Sequence, residues 1–159
     1  MKNLLLLLFT LLLAGCEGNA QKQEDQFPVS RTEAEWKEEL SPQEFQVLRK
    51  KGTERAFSSE LNNITEPGTF VCAACGNALY KTEHKFESGT GWPSFDRAFD
   101  EENVVYRPDR TGGFPATEVL CARCGGHLGH VFNDGPKQTT GKRHCLNGIA
   151  LDFIPDKEQ

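Results

Sequence analysis

The chain has six cysteines, and their spacing sorts them into three kinds. Cys72 and Cys75 form one C-x-x-C, Cys121 and Cys124 form a second, and each pair is followed by a glycine, Gly76 and Gly125. Cys16 closes Leu13-Ala14-Gly15-Cys16. Cys145 is left over, in Arg143-His144-Cys145-Leu146-Asn147. In an exported protein a leftover thiol is either an intermolecular link or a reactive group. If residues 143–147 are a strand, alternation projects Arg143, Cys145 and Asn147 together, with His144 and Leu146 on the other face. A guanidinium beside a thiol favours the thiolate, which is the nucleophile. A carboxamide can donate or accept to fix a substrate. The competing reading is an inert, buried Cys145 beside a solvated Arg143.

The paired cysteines suit zinc. Two C-x-x-C turns facing each other supply four thiolates to a tetrahedral ion, and a closed set of four protein ligands is structural, with no open position for substrate. The glycine after each pair lets the backbone turn, so that amides can point at the thiolates. The long gap between Cys75 and Cys121 requires the two turns to meet through the tertiary fold. Three alternatives stay open: disulfides within the pairs, a thioredoxin-like redox centre, and His127 in place of one cysteine.

Two further stretches combine polar groups with glycine. Gly125 to Gly135 places His127, His130 and Asp134 among small residues, and Ser88 to Phe95 carries Trp92 in a Gly/Pro-rich loop. Small residues let polar groups approach a ligand, and a Trp can wall an apolar group. Taken alone, each stretch also reads blandly, as a turn with exposed histidines and as a core anchor.

The elements that must position these groups are mostly strands. Ser41 as cap, Pro42 in the first turn and Glu44 completing a capping box predict a helix with Phe45 and Leu48 on one face and Gly52 as its stop. A weaker helix is expected from Thr32 to Leu40. After Gly68, β-prone runs occur at Thr69–Cys72, Ala78–Lys81, Val104–Arg107, Thr117–Cys121 and Leu146–Phe153, punctuated by turn residues. The two C-x-x-C-G turns read as similar hairpin tips. The fold class expected is mainly β (α+β), one domain, with a small helical N-terminal part.

The N-terminus predicts export. Lys2, the apolar run Leu4–Leu13 and the Leu-Ala-Gly-Cys order read as a lipoprotein-type signal over residues 1–15, with Cys16 as the lipidation site. The run is too short to span a bilayer. Stable anchoring takes more than one acyl chain, and bacterial lipoproteins usually carry three. Residues 16–27 read as a polar tether, and residues 28–156 as the domain. Glu17, in place of Asp, gives no inner-membrane retention signal. The expected location is therefore the bacterial cell envelope, periplasm-facing, with contact to the membrane through the lipid anchor only. The net charge of −5, or −6 without Lys2, argues against a nucleic-acid surface. A monomer is expected.

Several segments in one order resemble the B-type methionine sulfoxide reductases, over roughly Pro28 to Pro155. They are Gly52-Thr53-Glu54-Arg55 with Phe57, the two C-x-x-C-G turns, Phe86 to Phe95, Gly126 to Gly135, and Arg143 to Asn147. The resemblance implies two small antiparallel sheets with peripheral N-terminal helices and a structural four-cysteine zinc site away from the active site. It also implies reduction of methionine-R-sulfoxide, one of the two epimers that methionine oxidation produces. In that scheme Cys145 attacks the sulfoxide sulfur and becomes a sulfenic acid. His127, His130 and Asn147 bind and polarise the oxygen, Asp134 orients the histidine pair, Arg143 favours the thiolate, and Trp92 receives the methyl group. Many members carry a resolving Cys where this chain has Thr90. An external thiol, from a thioredoxin-like protein or a small molecule, is then expected to regenerate Cys145, with oxidised proteins or peptides as substrates. His144 and Gly148 are smaller departures, and His144 is expected to be tolerated because it faces away from Cys145. A non-catalytic zinc-knuckle interaction module and a thiol-disulfide oxidoreductase are the competing functions.

Overall fold

A computed structural model describes residues 27–157. The leader (1–15), the lipidation site Cys16 and the tether as far as Gln26 lie outside the described residues. Helix α1 (Glu33–Glu39) and helix α2 (Pro42–Leu48) come first, each opened by a reciprocal capping box, Thr32 with Glu35 and Ser41 with Glu44. Each box satisfies amides that the first turn leaves unpaired, a contribution of about 1 kcal/mol. Trp36, Phe45, Val47 and Leu48 bury the inner faces of the helices. The expected glycine stop is corrected here. Helix α2 ends at Leu48, and Lys51 (φ 58°), not Gly52, takes the left-handed conformation, while the Gly52 amide donates to the Gln46 carbonyl at 2.9 Å.

Among the described residues nine strands follow: β1 (Gly68–Cys72), β2 (Ala78–Lys81), β3 (Lys85–Phe86), β4 (Ser94–Phe95), β5 (Val104–Asp109), β6 (Ala116–Cys121), β7 (His127–Phe132), β8 (Arg143–Leu146) and β9 (Leu151–Pro155). They form two antiparallel sheets, β2-β1-β9 and β3-β4-β8-β7-β6-β5. The expected single run from Leu146 to Phe153 is split. Strand β8 ends at Leu146, a 3-10 turn covers Gly148–Ala150, and β9 joins the other sheet. That crossover links the sheets directly after Cys145. Phe95 of the larger sheet packs on Phe70 and Tyr80 of the smaller, with ring centroids 4.9 and 4.6 Å apart, so both sheets share one core. No helix among the described residues is long and apolar enough to cross a membrane.

The two C-x-x-C-G turns are the tips of the β1–β2 and β6–β7 hairpins, and they are built alike. Gly76 (φ 70°) and Gly125 (φ 68°) both need the left-handed conformation. Their amides close onto the carbonyls of Cys72 and Cys121, each at 2.8 Å, instead of pointing at sulfur.

Candidate active site

The larger sheet lines up one residue per strand on the face that carries Cys145. Ser94 stands opposite Cys145, Cys145 opposite His130, His130 opposite Glu118, and Glu118 opposite Arg107. Directly opposed residues in antiparallel strands share a face. His127 lies three residues before His130, so strict alternation would send it to the reverse face. A bulge prevents this. The register steps from Val119↔Gly129 to Leu120↔His127, which leaves Leu128 as the extra residue and returns His127 to the side of Glu118. The two imidazoles sit edge to face with centroids 5.4 Å apart. Gly129 between them is obligatory, because a Cβ there would collide with the carbonyl of Cys145.

Each histidine is held by a carboxylate. His127 Nδ1 bonds Glu118 at 2.8 Å, and His130 Nε2 bonds Asp109 at 2.8 Å. An imidazole tied to a carboxylate through one nitrogen keeps the other for substrate or water. Glu118 is only 2 % exposed. Burial works to raise its pKa, but the bonds from His127 and from Lys51, at 2.7 Å, outweigh it and hold the carboxyl below its usual range. The left-handed turn at Lys51 is part of the loop that brings this ammonium to the buried carboxylate. Asp109 is held well below the usual carboxylate range by His130 and by Thr111.

Two residues to which the resemblance gave roles at the sulfoxide have other partners in this structure. Asp134 pairs with Arg143. Its carboxylate takes a two-pronged bond from Arg143, at 2.9 and 2.8 Å, and Glu118 and Asp109 hold the imidazoles. Asn147 is buried, and its carboxamide is engaged by backbone: Oδ1 accepts from the Glu54 amide at 3.0 Å and Nδ2 donates to the Leu128 carbonyl at 3.1 Å. It therefore braces strand β7 against the Glu54 loop. Glu54 completes the brace by accepting the Gly148 and Ile149 amides at 2.5 and 3.0 Å. The Glu54 carbonyl takes the Trp92 indole N–H at 3.2 Å, which fixes the ring.

Arg143 does share the face of Cys145, and its guanidinium lies 4.4 Å from the centroid of the Phe132 ring. Its effect on the thiol is smaller than expected. Burial pushes the Cys145 thiol up, and Arg143 and Thr90 offset this only in part. Thr90 Oγ1 stands 4.0 Å from Cys145 Sγ and continues a hydroxyl chain, 2.8 Å to Ser88 and 2.7 Å from Ser88 to Ser94. Ser94 donates to the Trp92 carbonyl at 3.0 Å.

His144 faces the reverse side, as expected, and is buried there. Tyr80 O–H meets its Nδ1 at 2.9 Å, and burial pushes its pKa down to about 4. A cavity of about 330 Å³ opens on that reverse side against His144, Val131, Thr117 and Tyr106, without Cys145, His127 or His130 among its lining.

Cys72, Cys75, Cys121 and Cys124 converge with all four sulfurs within 4.8 Å of one another. The close pairs run between the hairpins, Cys72–Cys124 at 3.7 Å and Cys75–Cys121 at 3.6 Å. A tetrahedral zinc with bonds of 2.3 Å sets its sulfurs about 3.8 Å apart, whereas a disulfide needs about 2.05 Å. The five described cysteines are free thiols. Among the described residues this cluster contains no histidine, and His127 is committed to Glu118.

Of the groups that hold this site, sequence reasoning missed Glu118, Asp109, Lys51 and the role of Glu54. Glu118 did leave a signal, as a lone carboxylate inside an otherwise apolar strand run; Asp109 left none.

A model of the SelR domain matches residues 40–155. A "Peptide methionine sulfoxide reductase MsrB" of Leptospira interrogans is 47 % identical over 80 % of this chain and 96 % of its own length. Proteins of the same name from Thiobacillus denitrificans and Methanosarcina barkeri are 50 % and 48 % identical, over 79 % and 82 % of this chain and 94 % and 91 % of their own. With that span of similarity and this arrangement of thiol and histidines, the chain belongs to the SelR-domain family, the B-type methionine sulfoxide reductases.

Proposed function

We propose that the protein reduces methionine-R-sulfoxide in polypeptides to methionine, with Cys145 as the reacting thiol. The observation that carries this reading is the row Cys145–His130–Glu118 with His127 folded back beside it. The Cys145 sulfur attacks the sulfoxide sulfur to form a transient S–S bond; the substrate S–O bond then breaks as the oxygen passes to the Cys145 sulfur, and the S–S bond breaks to release methionine. The oxygen is retained on Cys145 as a sulfenic acid, so Cys145 loses two electrons and the methionine sulfur gains them. The oxygen needs protons to leave the substrate. A thiol whose pKa burial raises brings the one that stays on the sulfenic acid, and the carboxylate-held His127 and His130 are placed to lend another, which returns to the imidazole as methionine leaves. Trp92, held by the Glu54 carbonyl, offers an apolar wall to the methyl group.

Regeneration is assigned to an external thiol. Thr90 occupies the position facing Cys145 and cannot form a disulfide, and the other described cysteines are gathered in the four-sulfur cluster. One thiol forms a mixed disulfide with release of water, and a second releases Cys145. Cys72, Cys75, Cys121 and Cys124 would hold a zinc ion that clamps the two hairpin tips, a structural role. The leader supports a lipid anchor at Cys16, hence an enzyme tethered at the cell envelope and acting as a monomer. The test is an assay of separated R and S epimers with dithiothreitol. Turnover of the R epimer alone, lost in Cys145→Ser with the fold intact, supports the reading, and an active Cys145→Ser variant ends it.

A further inference from the structure

Phe57 is a large apolar residue that the fold holds in the open. It is 72 % exposed, and its backbone lies in the left-handed region with φ 62°. For a bulky residue that conformation is an outlier, and it persists only where the surroundings enforce it. Here the Phe57 amide donates to the Gly91 carbonyl at 2.7 Å, and Asn62 Nδ2 donates to the same oxygen at 3.1 Å. The ring lies flush on Gly91, where a Cβ would come within 2.8 Å of Phe57 Cδ2. Gly91 separates Thr90, which faces the Cys145 sulfur, from Trp92. A strained, solvent-facing phenyl ring is thus locked onto the loop that walls the thiol, and it contributes nothing to the core. Phe132 stands opposite Arg143 on the sheet face of Cys145 and is 39 % exposed.

We propose that Phe57 is a specificity-determining residue that receives a bulky apolar side chain next to methionine sulfoxide in an extended polypeptide. The occupant follows from continuity with the thiol site: a chain that brings its sulfoxide to Cys145 past Thr90 and Trp92 must run over the Gly91 loop. An apolar neighbour of the oxidised methionine then covers the Phe57 ring. The inference rests on Cys145 as the reacting thiol.

The experiment compares two short peptides, with methionine-R-sulfoxide flanked on both sides by leucine or by serine, on the full chain with dithiothreitol. The wild type favours the leucine peptide in kcat/KM by on the order of tenfold, through KM, as covering one ring predicts. Phe57→Ala lowers that preference to within about twofold, and Phe57→Leu keeps most of it. Phe57→Gly, which relieves the left-handed strain, behaves like Phe57→Ala and so separates the ring from the backbone. A distorted loop would slow both peptides alike and leave the preference intact. A Phe57→Ala enzyme with the wild-type preference, or a wild type with none, overturns the proposal. Turnover of either peptide by Cys145→Ser would instead sink the thiol reading.

Discussion

Replacing Glu118 with glutamine removes one negative charge and almost no volume from the centre of the site. The carboxylate is 2 % exposed and accepts from His127 at 2.8 Å and Lys51 at 2.7 Å. A glutamine offers one acceptor and one donor. In either orientation it turns an NH2 towards a partner that was donating, or reverses the tautomer of His127. A hydrogen bond to a charged group is worth about 1.5–3 kcal/mol. If that support matters as the sulfoxide oxygen takes its proton, the loss appears in kcat as about 10- to 150-fold, since each 1.36 kcal/mol is tenfold. KM for a methionine-R-sulfoxide peptide should change little, because Trp92 and the loop beside it are untouched. The assay is steady-state turnover with saturating dithiothreitol, beside a thermal melt to show that the variant is folded. A folded Glu118→Gln enzyme with kcat within about threefold of wild type would refute the assignment of His127 as a carboxylate-supported proton donor.

Three further outcomes are expected. Thr90→Cys places a second sulfur near 4.0 Å from Cys145 on a loop with glycines on both sides, so oxidised enzyme should convert its sulfenic acid into a disulfide between positions 90 and 145. Mass spectrometry under non-reducing conditions detects it, and a persistent sulfenic acid would show that the loop cannot close. Cys121→Ser should lose bound zinc and lower Tm by roughly 10 °C, as a loss of about 3 kcal/mol gives for a domain of this size; equal zinc content in variant and wild type would place the metal elsewhere. His144 titrates at about 4 in the folded protein against 6.5 unfolded. The unfolded chain therefore takes up the proton first, and stability present above pH 6.5 is lost as pH falls towards 4, by about 3 kcal/mol. Chemical denaturation across that window should show the slope, and His144→Phe should flatten it.

The cysteine chemistry was legible in the sequence because it rests on local pattern. A C-x-x-C-G turn encodes its own geometry, and the two hairpin tips came out alike. Alternation along residues 143–146 likewise placed Arg143 with Cys145 and turned His144 away. The cap at Ser41 was local as well. What escaped depends on pairing between distant strands. Nothing local marks the bulge at Leu128, yet that bulge brings His127 and His130 to one face. Asp109 and Glu118 reach the histidines only after strands β5, β6 and β7 are in register. Asp134 lies one residue from the end of the histidine segment, and its role there came from the resemblance alone. In three dimensions Arg143 claims it. Strand alternation also failed at Asn147, because β8 ends at Leu146 and the chain turns towards the smaller sheet. The raised thiol of Cys145 is a burial effect that no reading of neighbouring charges could weigh.

The central claim is that Cys145 takes the sulfoxide oxygen and has no resolving thiol beside it among the described residues. It is tested most directly by a single turnover without reductant. Reduced enzyme is mixed with excess methionine-R-sulfoxide peptide, methionine is counted per enzyme, and a sulfenate trap is located by mass spectrometry. The account predicts about one methionine per chain and the trap on Cys145 alone. A disulfide from Cys145 to Cys72, Cys75, Cys121 or Cys124, or methionine formed with Cys145 unmodified, would contradict it.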